Sequence, residues 1–195
     1  MKLNLGCGPT RKCGYTGVDY RRIRKVDCVD IVCDLNITPW PWADNSIEAI
    51  YTAHCLEHLE NPITAFREMH RVLKVGGEIT IVVPHSQSVL AYSRTHLTRF
   101  STIWFYSWIQ SWRGCQGDFE DDPQLFSGRI SWRFFSPTVY FREPYPFWFK
   151  VFFHAIRIFS LPLEKLLNLH PVMLFAWEKL SIFGPDELVF EARKI

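Results

Sequence analysis

The sequence predicts an α/β fold around a mostly parallel sheet, and three features of its first half support this prediction. Short apolar segments alternate with loop or helical connections, as in sheets whose strands are joined by crossovers. Two of these segments end on an acid, at Asp19 and Asp34. Residues 78–83 are almost continuously apolar and rich in β-branched side chains, which is typical of a parallel strand covered on both faces. We expect residues 1–195 to form one domain, since domains usually run to roughly 100–200 residues.

Several strands and one helix are predicted in order along the first half. The strands are expected at residues 2–5, 16–19, 29–34, 47–53 and 78–83. The helix is predicted to begin at Asn61 and Pro62, because asparagine is a good N-cap and proline suits the first helical position. At helical spacing, its buried face is predicted to comprise Ile63, Phe66, Met69 and Leu73. Gly76 and Gly77 are expected to end the helix.

The second half is predicted to combine an aromatic-rich insertion, which would cover the substrate at residues 85–175, with closing strands at residues 176–195. Of the 31 aromatic residues in the chain, 20 fall between residues 100 and 160. The last strand is predicted at residues 187–192, as one of an antiparallel pair of strands that closes the edge of the sheet. Residues 178–182 are the candidate for the strand that precedes it.

The composition excludes several classes of protein. The formal net charge is +2 without a block of lysine and arginine, so no nucleic-acid partner is expected. The six cysteines form no CxxC pair, and no histidines follow at zinc-finger spacing, so no metal site is expected. The chain enters a strand at once without a signal peptide, which together with reduced thiols favours a cytoplasmic location. No apolar run is long enough to span a bilayer securely.

The first predicted strand leads into a glycine-containing loop, at the edge of the sheet where α/β proteins bind ligands. A dinucleotide site needs G-x-G-x-x-G, with an acid about 20 residues further on. Here Arg11 occupies the third glycine position, and Asp19 follows Gly6 by only 13 residues. A ligand with a ribose and an adenine but no phosphate needs only glycines for close approach and a carboxylate for the ribose hydroxyls. S-adenosylmethionine is such a ligand, whereas a nicotinamide dinucleotide is disfavoured.

A series of short motifs follows in order along residues 2–84. They are Leu3-Asn4-Leu5-Gly6-Cys7-Gly8, Gly14-Tyr15-x-Gly17-Val18-Asp19, Cys33-Asp34-Leu35, Asp44-x-Ser46-Ile47-x-x-Ile50, Leu56-Glu57-His58-Leu59 and Arg71-Val72-Leu73-Lys74-x-Gly76-Gly77. In this order the motifs resemble the S-adenosylmethionine-dependent methyltransferases of the type-11 family. The resemblance implies a Rossmann-like methyltransferase sheet with an antiparallel C-terminal strand, S-adenosylmethionine as cofactor, and residues 1–84 as the cofactor-binding half.

The resemblance also implies which residues bind the cofactor. The set comprises a group under the methionine moiety (Leu5, Gly6, Cys7 and Gly8), the ribose acid and its neighbour (Asp19 and Tyr20), an adenine-side pair (Asp34 and Leu35) and a pair facing the sulfonium (Ala53 and His54). Two features depart from the family pattern. Thr10 replaces the usual third glycine, and residues 6–15 are too few for the usual crossover helix, because parallel crossovers need a dozen or more residues. A short-loop subgroup of the family has the same shortening.

Residues that follow the fourth and fifth strands are candidates for binding the methyl acceptor. The substrate candidates are Glu57, His58, His85 and Arg99. His96 lies in Thr95-His96-x-x-Arg99-Phe100, a pattern frequent in the resembling subgroup. A histidine suits a catalytic general base near neutral pH. For His96 the alternative is that it caps a helix over residues 97–109. For Glu57 and His58 the alternative to a site role, including a direct catalytic role for His58, is that they only satisfy loop backbone.

Residues 147–163 are almost wholly apolar and aromatic, with Lys150, His154 and Arg157 on one narrow helical stripe. Two interpretations are open. The helix is either buried, in the core or in a homodimer interface, or it lies in a membrane interface with its cationic stripe at the headgroups. The second interpretation would place a cytoplasmic protein peripherally at the inner membrane face.

The sequence therefore favours an enzyme that transfers a methyl group from S-adenosylmethionine to an unidentified small-molecule, sugar or lipid-linked glycan acceptor. The sulfonium is already activated, so alignment of the reactants and exclusion of water supply most of the effect. The alternative hypothesis is a non-catalytic S-adenosylmethionine-binding or scaffold protein with a methyltransferase fold.

Overall fold

The computed structural model describes residues 1–21, 28–106, 108, 125–134, 160–170 and 185–195. Within this part of the chain, seven strands form one sheet. They are β1 (Lys2–Leu5), β2 (Thr16–Asp19), β3 (Ile31–Val32), β4 (Ile47–Ala53), β5 (Leu73–Pro84), β6 (Phe126–Arg133) and β7 (Glu187–Lys194). Their order in the sheet is β3-β2-β1-β4-β5-β7-β6. Strands β1 to β5 are parallel, and β7 is antiparallel to both of its neighbours.

This topology confirms the predicted Rossmann-like sheet with an antiparallel C-terminal strand. Two details differ from the prediction. Strand β3 is shorter than the predicted 29–34, and the antiparallel pair that closes the edge of the sheet consists of β7 and β6. Strand β6 comes from the segment predicted to be a substrate-covering insertion, whereas residues 178–182, predicted to form the neighbouring strand, lie outside the described residues.

Helix α1 spans Pro62–Val72 and begins as predicted, because the Asn61 side chain accepts a hydrogen bond from the Thr64 amide at 3.0 Å. Helix α2 spans Thr102–Tyr106. Residues 160–167 are also helical, and short 3₁₀ turns cover Leu56–His58 and Val89–Tyr92. Since α2 begins only at Thr102, the predicted helix over residues 97–109 is wrong in its first part, and His96 is not its cap.

The prediction that Gly76 and Gly77 end helix α1 is wrong, because both glycines lie within β5. The helix ends at Val72 because its last carbonyls find partners that are distant in sequence. The Asn45 amide donates to the Arg71 carbonyl at 3.0 Å, and the Ser46 amide donates to the Val72 carbonyl at 2.9 Å. The buried Lys194 ammonium, on β7, adds bonds to the carbonyls of His70 (2.7 Å) and Leu73 (2.9 Å). These bonds replace a local glycine cap.

The core is centred on Phe66 of α1, whose side chain is fully buried. Aromatic rings surround it with centroid distances of 4.7 to 6.4 Å: those of Trp104, Phe105, Trp108, Phe126 and Phe190. Most of these rings come from the segment that the sequence analysis assigned to substrate cover. Its aromatic residues around α2 and β6 therefore build the interior, where edge-on and tilted ring pairs add to the free energy of burial.

The apolar segment at residues 147–163 lies largely outside the described residues, which include only its last four positions, within the helical turns at 160–167. Of the helices in the described part of the chain, none is both long enough and apolar enough to cross a bilayer.

We predict that His70, on α1, makes stability depend on pH. Burial, with a smaller contribution from the Lys194 ammonium, lowers the pKa of His70 to about 4. The unfolded chain binds this proton near pH 6.5, so stability should fall as the pH drops from 6.5 towards 4, by at most ~1.4 kcal/mol per pH unit. Urea unfolding of the wild type and of His70→Gln at pH 7, 6 and 5 should show a shallower decline in the variant. Parallel declines would contradict the prediction.

Candidate functional site

The carboxyl ends of β1, β2 and β4 open onto a cavity of about 570 Å³. Most of the residues predicted to bind the cofactor line it: Gly6, Gly8, Asp19, Tyr20, Asp34, Leu35 and His54. Of the remaining three, Leu5 and Cys7 are buried, and Ala53 ends β4 next to His54. The cavity lies where ligands bind in parallel α/β sheets, so the topology places the predicted residues at a plausible binding site.

Asp19 joins the two loops that form the floor of the cavity. Its carboxylate accepts hydrogen bonds from the amide of Gly8 at Oδ2 and from that of Tyr20 at Oδ1, both at 2.9 Å. The residue is 8% exposed. Each carboxylate oxygen has a second lone pair, so the group can hold the loop and still accept hydroxyl donors from a ligand.

The loop after β1 depends on glycine for two different reasons. Gly6 adopts a left-handed conformation (φ 62°), and a Cβ at this position would overlap the Cys55 side chain. Gly8 is also left-handed (φ 52°), but no heavy atom of the described residues lies within 4 Å of the place for its Cβ. Gly6 therefore permits close packing of backbone and side chain, whereas Gly8 presents bare backbone to the cavity.

The cysteines around this loop are packed, reduced thiols. Cys7 donates from Sγ to the Cys28 carbonyl at 3.4 Å, and burial raises the pKa of Cys7 to about 11. Burial also raises the pKa of Cys55, which lines the cavity beneath Gly6, to about 12. A thiol with so high a pKa is a poor nucleophile at neutral pH. These cysteines shape the cavity and contribute no thiolate chemistry.

The side of the cavity formed after β3 is held by an Asp34–Asn36 turn. The Asp34 carboxylate accepts hydrogen bonds from the amide of Asn36 at 3.0 Å and from its side chain at 3.2 Å. The Asn36 side chain in turn accepts a hydrogen bond at Oδ1 from the Glu60 amide at 2.9 Å. This bond connects the turn to the segment before α1. Asp34 therefore caps a turn and lines the cavity at the same time. The sequence analysis missed Asn36, whose only signal was its position two residues after Asp34.

His54 is held between two buried carboxylates at the opposite wall. It follows β4 in a left-handed conformation (φ 52°), which is uncommon outside glycine and found at functional sites. Its Nε2 lies 2.9 Å from Glu187 Oε1, and its Nδ1 lies 3.4 Å from Glu57 Oε1. Burial lowers the pKa of His54, but the two carboxylates outweigh burial and raise this pKa to about 9. The ring is therefore a cation at neutral pH.

A second group of polar side chains adjoins His54. Glu57 and His58, in the turn after β4, meet His96 from the loop after β5. The rings of His58 and His96 are edge-on with centroids 4.7 Å apart, and His96 Nε2 lies 4.0 Å from Glu57 Oε1. Burial lowers the pKa of His96, although the Glu57 carboxylate opposes this shift. His58 lines the cavity together with Thr95, whereas His96 packs behind His58.

The other two substrate candidates are not brought to the cavity. His85 is completely buried, and its Nδ1 accepts the Gln87 amide at 3.1 Å. Arg99 is exposed and lies over the Tyr92 ring, with 4.3 Å between its guanidinium carbon and the ring centroid. Thr95 lines the cavity instead. It stands in the same sequence motif as His96 and Arg99 but was not among the predicted site residues.

Residues 3–81 match the profile of the type-11 methyltransferase family, described as a methyltransferase domain. A SAM dependent methyltransferase from Archaeoglobus fulgidus is similar in structure, at TM-score 0.53 and 16% identity over 99% of this chain and 85% of that one. A chain from the Haloferax volcanii complex between the Trm112 methyltransferase activator and a methyltransferase is also similar in structure. Its TM-score is 0.52 and its sequence identity 14%, and the match covers 98% of this chain and 81% of that one.

The 4+2 cyclase SpnF is also similar in structure, at TM-score 0.53 and 17% identity over 99% of this chain and 74% of that one. At such low identities these likenesses establish the fold, which is shared by proteins with different reactions. No protein with a curated description matches this chain in sequence.

We predict that Gly8→Val abolishes binding of S-adenosylmethionine, because the side chain would enter the cavity. Gly14→Val is the matched control: Gly14 is also left-handed (φ 77°) with open space at its Cβ position, but does not line the cavity. Both variants should lose stability, since a left-handed conformation costs an L residue roughly 1–2 kcal/mol. Calorimetry should detect loss of binding in Gly8→Val alone. Equal affinities in two folded variants would remove the loop from the binding site.

Proposed function

We propose that this chain, whose residues 3–81 match the type-11 methyltransferase family, is an S-adenosylmethionine-dependent methyltransferase that methylates an oxygen or nitrogen nucleophile bound beside His54 and His58. The observation that supports this proposal is the division of the cavity. Acidic residues and bare backbone line the ends of β1 to β3, whereas imidazole rings line the end of β4. A cofactor on the acidic side would direct its methyl group towards the imidazoles.

On the acidic side, the backbone at Gly6 and Gly8 would receive the methionine moiety. The ribose hydroxyls would donate to the lone pairs of Asp19 that its two backbone bonds leave available. Asp34 and Leu35 would contact the adenine, and Leu5 and Cys7 would support the loop from below. Ala53 and His54 would then lie nearest the sulfonium. This arrangement uses each residue in the role that its position at a strand end allows.

On the imidazole side, His58 is the residue best placed to meet the acceptor. The Thr95 carbonyl, 3.0 Å from His58 Nδ1, can only accept a hydrogen bond, so Nδ1 carries a proton and, in the neutral ring, Nε2 is the nitrogen that can accept one. His54 cannot take up a proton at neutral pH, because it already carries one. His96, the base suggested by the sequence, would act as a positioning residue that packs edge-on against His58.

The acceptor that we propose is a sugar hydroxyl, on a free or lipid-linked glycan. Its hydroxyl can donate a hydrogen bond to an imidazole nitrogen that borders the cavity. A lipid-linked acceptor would agree with the cationic stripe of residues 147–163 if that segment lies peripherally at the cytoplasmic membrane face. If the segment forms a homodimer interface instead, a free acceptor is favoured.

We predict that Asp19→Ala weakens binding of S-adenosylmethionine by about 1.5–3 kcal/mol, the usual scale for hydrogen bonds to a charged group. Asp30→Ala is the matched control. Asp30 also accepts a backbone amide, that of Gly17 at 2.7 Å, but it does not line the cavity. Calorimetry should show a large loss for Asp19→Ala and little change for Asp30→Ala. Equal losses would mean that Asp19 only holds the loop.

The acceptor can be identified by incubating the protein with radiolabelled S-adenosylmethionine and cell fractions separated into soluble, lipid and polysaccharide pools. We expect label in the polysaccharide or lipid pool. His58→Ala should lower the rate by a factor of about 10²–10⁴ if His58 accepts the proton, with unchanged affinity for the cofactor. His70→Gln, on α1 away from the cavity, is the control. Cofactor binding without label in any pool would favour the non-catalytic alternative.

A further inference from the structure

The side chain of Glu57 is buried without the partners that a carboxylate needs. It is 1% exposed, and neither of its oxygens accepts a hydrogen bond from any residue that the structure describes. The nearest basic groups are imidazoles, His54 Nδ1 at 3.4 Å and His96 Nε2 at 4.0 Å from Oε1, and of these the His54 ring is the cation. Burying a carboxylate is costly unless a cation or hydrogen-bond donors compensate it. One such cation, His54, is shared with Glu187.

The side chains of His58 and His96 bring potential metal ligands close to the Glu57 carboxylate. One nitrogen of His58, one nitrogen of His96 and one oxygen of Glu57 all lie within 4.8 Å of one another. His58 donates from Nδ1 to the Thr95 carbonyl. This bond is the outer-shell contact that metal-ligating histidines commonly make, and it directs the Nε2 lone pair away from the backbone.

The backbone fixes the two segments that carry these side chains. The Glu57 carbonyl accepts the amides of Leu97 at 2.7 Å and Thr98 at 3.3 Å. The loop after β5 is thereby tied to the turn after β4, immediately beside His96. The three side chains therefore project from two bonded backbone segments, which restrains their separation before any ligand binds.

We propose that Glu57, His58 and His96 bind a divalent transition-metal ion of the zinc class at the wall of the cavity. Two imidazoles and one carboxylate suit Zn²⁺ and its first-row neighbours, whereas Mg²⁺ and Ca²⁺ prefer oxygen ligands alone. Metal–ligand bonds of about 2.0–2.2 Å place tetrahedral ligands roughly 3.4 Å apart. The side chains therefore draw together on binding. His58 is exposed and borders the cavity, so further coordination positions face the cavity.

The chemical role of the ion rests on the proposed function. An acceptor hydroxyl that coordinates the ion loses its proton more easily. With the ion bound, His58 would serve as a ligand and water in the cavity would take up the proton; without the ion, His58 would keep the role of proton acceptor given to it in the proposed function. The oxygen would form its bond to the methyl carbon as the bond from that carbon to sulfur breaks, with the electron pair of the broken bond staying on sulfur. The cofactor would leave as the neutral thioether S-adenosylhomocysteine.

The binding site can be tested without turnover. Tag-free protein is stripped with a chelator and titrated with Co²⁺, followed by visible absorption, and with Zn²⁺, followed by calorimetry. We expect one ion per chain and cobalt bands without a thiolate charge-transfer band. Loss of an outer-shell partner typically weakens metal binding by roughly 10–100-fold. Glu57 and His58 are the proposed ligands themselves, so Glu57→Gln and His58→Asn should each weaken binding by about 100-fold or more. His70→Gln should bind like the wild type.

Three results would overturn the metal site: wild-type affinity weaker than about 1 mM, a thiolate charge-transfer band, or unchanged affinity in both folded ligand variants. His58→Asn guards against misfolding, because His58 is exposed whereas Glu57 is buried. S-adenosylhomocysteine binding is measured on the same samples. If the protein binds S-adenosylhomocysteine but no metal ion, the proposed metal site is wrong and the proposed function is unaffected. Metal binding without cofactor binding would overturn the proposed function and leave the ion in place.

Discussion

The carboxylate of Asp19 is the constraint on which the rest of the site depends. It bonds to the amide of Gly8 and to that of Tyr20, and so fixes the end of β1 relative to the end of β2. In longer crossovers a packed helix holds the connection between two parallel strands in place. Residues 6–15 contain no helix, so here the Asp19 carboxylate holds the connection between β1 and β2. The left-handed glycines follow from the same constraint, because the loop must turn tightly to present an amide to Asp19.

The opposite wall is built by a different principle, in which charges buried at strand ends compensate one another. Glu187 enters from β7 and Glu57 from the turn after β4, and His54 lies between them in a strained conformation. Such an arrangement persists only because the surrounding structure determines it. One wall is thus backbone stabilised by a carboxylate, and the other is a cluster of titratable side chains. The proposal that the cofactor binds on one side and the acceptor on the other rests on that contrast.

The sequence predicted the parts of this molecule that depend on local patterns. Strand alternation and the rule for parallel sheets located Asp19 and His54 at one edge, and Asn61 marked the start of α1. Features that depend on distant partners were not predictable. The end of α1 depends on Lys194, and the meeting of His96 with Glu57 depends on backbone bonds between segments about 40 residues apart, so no spacing in the sequence suggests a shared site. Strand β6 was not predicted because its aromatic residues were interpreted as part of the segment that covers the substrate.

The position of β7 has a consequence for the order in which the molecule can assemble during synthesis. Strand β6 is made first, yet in the described sheet its neighbour is β7, which separates it from β5. A nascent chain that ends before residue 187 therefore cannot place β6 in the sheet. It also lacks Glu187, so His54 has a carboxylate on one side only, and it lacks the lysine that closes the end of α1. The contacts of His54 with Glu187 and of Lys194 with the end of α1 are therefore completed only when both ends of β7 have joined the sheet.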